Sequence, residues 1–393
     1  MTPTNDAGAC AGPAGPAAGS APDALGYVRA IAPYQAGKPI EELGRELGLD
    51  PATIVKLASN ENPLGMGPAS RAALEVLLRA APADLGRYPD SNGFALKAAL
   101  SQRYGVPASW LTLGNGSNDI LELAAAAMLA PGRSAVYAQY SFAVYPLAVQ
   151  ARGARHLVVP AREFGHDLDA MRAAIADDTR LVFIANPNNP TGTFLPPAAI
   201  ERFLASVPAQ VVVVLDEAYN EYLEPQDRFD STAWVRRHAN LVVSRTFSKA
   251  YGLAALRVGF AIAQPALTDL LNRVRQPFNV STFAQAAAVA ALGDAPFLQR
   301  SYELNRDGLR QLCAGFDRLG LRYVPSRGNF ALVRVGEAAA VFQALLRRGV
   351  IVRPVGNYGL HEWLRVSVGL PEENERLLAA LPGALSDAPA AAR

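Results

Sequence analysis

The sequence predicts an α/β protein: a large domain on a mainly parallel, buried sheet, joined to a smaller α+β domain. Three observations predict it. Short β-branched runs alternate with helical patterns through the middle of the chain. Those runs are continuously apolar, as strands covered on both faces must be. Toward the end, two long helical stretches, roughly 283–293 and 296–319, give way to short strands around one further helix, the pattern of a second unit.

The elements follow in order. GRSAVYA near 133–138, LVVP at 157–160, RLVFIA at 180–185, QVVVVLDEA at 210–218 and NLVVSR at 240–245 read as strands. DLDAMRAAIA, PAAIERFLASV and STAWVRRH between them carry helical spacing. WLTLGNGSNDILELAAAAML passes from a short strand through a Gly-rich turn into a helix. Past the two long helices come LRYVPS, NFALVRV, the helix AAAVFQALLRRG, the strand VIVRP and WLRVSVG. The expected divisions are an Ala/Gly/Pro tail at 1–24, an N-terminal arm at 25–65, a large domain at 66–285, a small domain at 286–385 and a second tail at 386–393.

Composition narrows the function classes. In 393 residues, 37 basic side chains nearly balance 35 acidic ones, so no electrostatic footprint for nucleic acid or anionic lipid is present. A small-molecule partner is expected, with no nucleic acid and no membrane. Cys10 and Cys313 lie far apart, and neither they nor the histidines show metal-ligand spacing, so no metal is expected. The opening tail lacks a basic segment and an uninterrupted apolar run, which argues against a secretory signal and for a cytoplasmic location. The longest apolar runs are far too short to span a bilayer.

In parallel sheets, ligands bind beyond the carboxyl ends of the strands. Four such ends carry unusual polar groups: Asn186–Gly192 (NPNNPTG), Asp216–Tyr219 (DEAY), Thr246–Lys249 (TFSK) and the GNGSND turn with Gly116, Ser117 and Asn118. A lysine, a carboxylate, an amide, a phenol and an anion cradle together suit pyridoxal phosphate. Lys249 is the amine for the aldehyde. Asp216 would keep the ring nitrogen protonated. Asn189 and Tyr219 offer donors to the ring's phenolate oxygen. Backbone N–H groups at Gly116, Ser117 and Asn118, hydroxyls of Thr246 and Ser248, and the charge of Arg257 would cradle the phosphate. Each residue has an ordinary reading beside this one: Lys249 a solvated lysine, Asp216 a helix cap, NPNNPTG a plain turn, the tyrosines core residues.

The run TFSKAYGLAA (Thr246–Ala255), with NPNNPTG, DEAY, GNGSND, ASNENP (Ala58–Pro63) and RYPD (Arg87–Asp90), resembles the histidinol-phosphate aminotransferase family of class II pyridoxal-phosphate-dependent enzymes. The likeness runs from about Gly26 to Leu381. It implies the type I aminotransferase fold, a seven-stranded large-domain sheet, and a homodimer. It also implies exchange of an amino group between histidinol phosphate and 2-oxoglutarate, with glutamate as the other product, in histidine biosynthesis. By the same likeness, Tyr88 would reach a neighbouring subunit's cofactor phosphate and Tyr140 would cover the ring face. Tyr34 and Asn60 would line the substrate end, and Arg353 with Arg365 would grip the substrate's anionic group. Two positions depart from the family pattern. Ala255 stands where glycine is common, and Asn118-Asp119 where Asp-Glu is common; neither removes a backbone donor. An aromatic or broad-specificity aminotransferase and a phosphoamino-acid decarboxylase stay open on the same scaffold. A regulator's sensor half would need a DNA-binding unit ahead of residue 25.

Overall fold

The computed structural model describes residues 23–33, 37–80 and 86–388. Tyr34 and most of both expected tails lie outside them.

A two-residue strand, β1 (Val55–Lys56), precedes the large sheet. That sheet contains β2 (Leu111–Gly114), β3 (Ser134–Ala138), β4 (Arg155–Val159), β5 (Thr179–Ala185), β6 (Val212–Asp216), β7 (Leu241–Thr246) and β8 (Gly259–Ala263). Their spatial order is β2-β8-β7-β6-β5-β3-β4. Only β8 runs antiparallel to its neighbours. The fold is thus the α/β architecture with a mainly parallel seven-stranded sheet.

Strand alternation divides the core in two. Val182 and Ile184 of β5, with Val213 and Leu215 of β6, face one helical layer. Leu181 and Phe183, with Val212 and Val214, face the other. At about 25 cal/mol per Å² of apolar area, this double burial supplies most of the sheet's stability and explains the unbroken valine run.

The remaining strands are β9 (Tyr323–Val324), β10 (Phe330–Arg334), β11 (Val350–Ile351), β12 (Arg353–Pro354) and β13 (Trp363–Ser367). Four form an antiparallel sheet in the order β12-β13-β10-β9, while β1 pairs in parallel with β11. Helices Ala295–Arg318, Ala338–Arg347 and Pro371–Asp387 close a separate apolar cluster over them. The last helix runs two residues into the stretch expected as tail.

The expected strands and helices are present with ends shifted by a few residues, except that VIVRP, expected as one strand, is divided between β11 and β12 in separate sheets. The sequence reading did not anticipate β8. Its five residues, GFAIA, lack a β-branched run and turn back along the sheet. That reversal matters, because the amino end of β8 lies at the edge where the parallel strands have their carboxyl ends. Gly259 sits in register with Gly114 on one side and Thr246 on the other. Arg257, two residues earlier, is thereby delivered to that same edge.

Candidate active site

The carboxyl ends of β2, β5, β6 and β7 converge on a cavity of about 200 Å³. Ser117, Asn118, Asn189, Asp216, Tyr219, Thr246, Ser248, Lys249 and Arg257 line it. Arg353 and Arg365 join from the small antiparallel sheet, and Asn60 from the loop after β1. The strands bring these groups together because each leaves its last hydrogen-bonded pair at one common edge.

Lys249 Nζ donates to Ser59 O at 3.1 Å and lies 5.9 Å from the centre of the Tyr219 ring. Burial, then the charges of Arg365 and Arg257, lower its pKa to about 8. Asp216 ends β6 and is buried; burial pushes its pKa up to about 6, against a hydrogen bond from Tyr145. That phenol donates to Asp216 Oδ2 at 2.9 Å, and its ring stacks on Phe183 at 4.6 Å and 5°. Asp216 Oδ1 is also buried and has no hydrogen-bond partner among the described residues.

Gly116 caps the helix Ser117–Met128 with φ 79° and ψ 169°, a conformation essentially restricted to glycine. A Cβ there would come within 2.3 Å of Arg257 Nη2. Arg257 donates to Ser248 Oγ at 3.2 Å and Ala254 O at 3.1 Å. The Asp119 carboxylate ties the turn by accepting from Asn115 N and from Asn279 Nδ2. Ser248 N donates to Thr246 Oγ1 at 3.1 Å, which fixes the turn at the end of β7.

Asn189 Oδ1 accepts from Arg365 Nη1 at 2.6 Å, and Arg365 Nη2 donates to Ala58 O at 2.7 Å. In the β12–β13 ladder Arg353 is the direct cross-strand partner of Arg365. Asn60 donates to the Tyr219 hydroxyl at 3.0 Å.

Two residues are placed away from the cavity. Tyr140 adopts a left-handed φ of 56°, and its carbonyl accepts from Asn188 Nδ2 at 2.8 Å. The turn sends its ring to Phe164, 6.1 Å away, and the apolar group around Trp363. Phe142, two residues on, lines the cavity instead. Tyr88 is 81% exposed and stacks on Phe278 at 4.6 Å. Tyr145, Tyr358 and Ser59 were not anticipated. Phe142 stands two residues from the tyrosine that was singled out, whereas Tyr145, five residues on, carries no local signal.

The model of the family described as aminotransferase class I and II matches residues 52–381. The chain belongs to that family. It is a pyridoxal-phosphate-dependent aminotransferase. A histidinol-phosphate aminotransferase of Cupriavidus pinatubonensis is 69% identical over 371 residues, covering 93% of this chain and 98% of that protein. One from Pseudomonas aeruginosa is 60% identical over 355 residues, covering 90% and 95%. The crystal structure of histidinol-phosphate aminotransferase from Sinorhizobium meliloti in complex with pyridoxal-5'-phosphate matches with a TM-score of 0.83 at 27% identity, covering 93% of this aminotransferase and 99% of that chain. Among the described residues no helix is long and apolar enough to cross a membrane, and no His/Cys/Asp/Glu group could hold a metal ion.

Proposed function

We propose that this aminotransferase exchanges an amino group between L-histidinol phosphate and 2-oxoglutarate, giving 3-(imidazol-4-yl)-2-oxopropyl phosphate and glutamate, in histidine biosynthesis. The arginine pair carries the reading. Arg353 and Arg365 oppose each other across one ladder, and both line the cavity. Like charges directly opposed are destabilising. A bound anion offsets that cost, and a phosphate monoester brings nearly two charges where a carboxylate brings one. The relatives' names support the same substrate.

The residues present fit pyridoxal phosphate. A ring N–H would satisfy the unpartnered Asp216 Oδ1. Gly116 and Gly259 let Arg257, the helix start and β8 approach one another closely around the N–H groups there, since a Cβ would lie 2.3 Å from Arg257 Nη2 or 2.5 Å from Ser117 N. Lys249 would hold the aldehyde carbon, Asp216 the ring nitrogen, and Tyr219 and Asn189 the phenolate oxygen. Gly116, Ser117, Asn118, Thr246, Ser248 and Arg257 would hold the phosphate. Phe142, rather than Tyr140, takes the ring face in this reading.

When bound, the cofactor supplies an aldehyde that captures amino groups and a protonated ring that draws electrons from the substrate Cα. The chain's residues do the rest. Lys249 Nζ, as a neutral amine beside the substrate Cα, would take up the Cα proton and hold it for return. Asp216, ionised above about pH 6, favours the protonated ring. Arg353 and Arg365 fix the substrate's anionic group, which turns its Cα–H bond toward Lys249. Asn189, with its oxygen engaged by Arg365, keeps amide hydrogens to offer.

We further propose a cytoplasmic homodimer in which the exposed Tyr88 completes the other copy's phosphate site. The domain limits 25–65, 66–285 and 286–385 are proposed with it. Steady-state rates with histidinol phosphate, histidinol and phenylalanine test the substrate. We expect kcat/KM for histidinol phosphate to exceed that for phenylalanine about a hundredfold or more. Comparable turnover of phenylalanine overturns the reading in favour of a broad aromatic aminotransferase, and CO₂ release from threonine phosphate in favour of a decarboxylase.

A further inference from the structure

We propose that Asn60 is a positioning residue for Tyr219 and not a substrate contact. Its amide holds the phenol as a donor aimed at the cofactor's phenolate oxygen, and Ser367 in turn holds Asn60. The inference rests on the role proposed above for Tyr219.

Asn60 is 1% exposed, and the protein uses all four of its polar groups. Its N–H donates to Ser367 Oγ at 2.8 Å, and its carbonyl accepts from Asn329 Nδ2 at 3.0 Å. Its Oδ1 accepts from Ser367 Oγ at 2.8 Å, and its Nδ2 donates to the Tyr219 hydroxyl at 3.0 Å. Each end of the amide is engaged once, which leaves one N–H and one lone pair, and at 1% exposure little of either is open to a substrate. The backbone is fixed as well: φ is 54°, a left-handed conformation that asparagine tolerates better than most residues.

The sense of these bonds determines what Tyr219 does. A phenol has one proton. Accepting from Nδ2 leaves that proton to point elsewhere, and a hydroxyl that accepts is polarised into a stronger donor. The ring cannot swing away, because Phe330 packs edge-on against it at 5.2 Å and 76°. Tyr219 also keeps its proton: burial raises its pKa to about 12, although Arg365 and the Asn60 bond oppose the rise.

Ser367 lies two residues beyond Arg365 on β13, so both side chains leave one face of that strand. Arg365 bonds Asn189, and Ser367 bonds Asn60. The strand carrying the proposed substrate arginine therefore reaches, by two separate links, both groups proposed for the phenolate oxygen.

The test is the pH midpoint of the visible absorbance band of the cofactor-loaded enzyme without substrate, measured in single and double variants. Tyr219→Phe removes the donor and raises the midpoint. Asn60→Ala raises it as well, by about half a unit, and lowers kcat about three- to tenfold while KM for histidinol phosphate stays within about twofold. Ser367→Ala, which leaves the chemistry of residue 60 unchanged, moves both readouts in the same direction. In the Tyr219→Phe background neither substitution shifts the midpoint further. An Asn60→Ala shift that persists without the phenol, or a rise in KM at constant kcat, overturns the proposal. If Tyr219→Phe alone leaves the midpoint where it was, the role of Tyr219 fails and this inference fails with it.

Discussion

Gly116→Ala should damage cofactor binding through a residue it does not replace. The added methyl acts twice. Its backbone sits at φ 79° and ψ 169°, where a non-glycine residue costs about 1–3 kcal/mol. Its Cβ would also lie 2.3 Å from Arg257 Nη2 and 3.0 Å from Cζ. Ordinary contact needs about 3.5 Å, so the guanidinium must retreat by about 1 Å. A charge-assisted hydrogen bond is worth about 1.5–3 kcal/mol, and a shift of that size forfeits most of one. Pyridoxal phosphate affinity should therefore fall about 10- to 100-fold, and the cofactor-free protein should lose about 1–3 kcal/mol of stability. Titration of cofactor-free enzyme with pyridoxal phosphate, followed by absorbance, reads the first effect, and denaturant melts read the second. Arg257→Gln supplies the cycle. Both changes act on one guanidinium, so the double variant should bind scarcely worse than Arg257→Gln alone. Wild-type affinity in Gly116→Ala, or full additivity in the pair, would rule out this route through Arg257.

Three further outcomes are expected. Arg353→Ala should raise KM for histidinol phosphate about 10- to 100-fold and leave KM for histidinol nearly unchanged, because one charged contact to phosphate is lost; steady-state kinetics on the two substrates decide it. Cofactor-free enzyme treated with trace acetic anhydride should acylate Lys249 with a midpoint near pH 8, the amine being about half neutral there, against about 0.3% for an ordinary lysine; peptide mass spectrometry across pH 6–10 checks it. Arg245→Met should cost about 3–5 kcal/mol near pH 8, by leaving Glu217 and Glu221 buried without their cation. Burial already raises both carboxyl pKa values, and losing the arginine raises them further, so that deficit should shrink as pH falls and the acids take up protons. Denaturant midpoints at two pH values measure it.

Much of this was legible because strands buried on both faces advertise themselves. Four consecutive valines and a leucine ending in Asp-Glu can hardly be anything but a central strand delivering an acid. The same logic located the residues following β2, β5 and β7. It failed for β8, whose small residues carry no such pattern. Tyr140, which the family likeness put over the ring face, is carried away from the cavity by a left-handed φ of which a tyrosine gives no warning. Tyr145 escaped notice for another reason: its partner Asp216 is 71 residues away, and only the packing of the helix Val144–Gln150 on the sheet makes them neighbours. Asn60 was visible as part of a motif, but its bonds to Ser367 and Tyr219 depend on three segments meeting, which no local pattern encodes.

Arg245 was legible in principle, and it shows how the sheet protects the site. Side chains alternate along a strand. Asp216 and Thr246 line the cavity, so Glu217 and Arg245 must point to the other side. They do, and there they meet at 2.6 Å, with 0% and 8% of their side chains exposed. Glu221 and the Tyr104 ring complete the arginine's surroundings. A slip of one residue between β6 and β7 would separate this pair and turn one member into the cavity, which is lined by four cations and one carboxylate among the described residues. Either buried charge, left alone, costs several kcal/mol. The ion pair behind the sheet thus penalises the misregistered pairing that would disorder the acid and the hydroxyl in front of it. A buried salt bridge that adds little net stability can still fix which side chains face the cofactor.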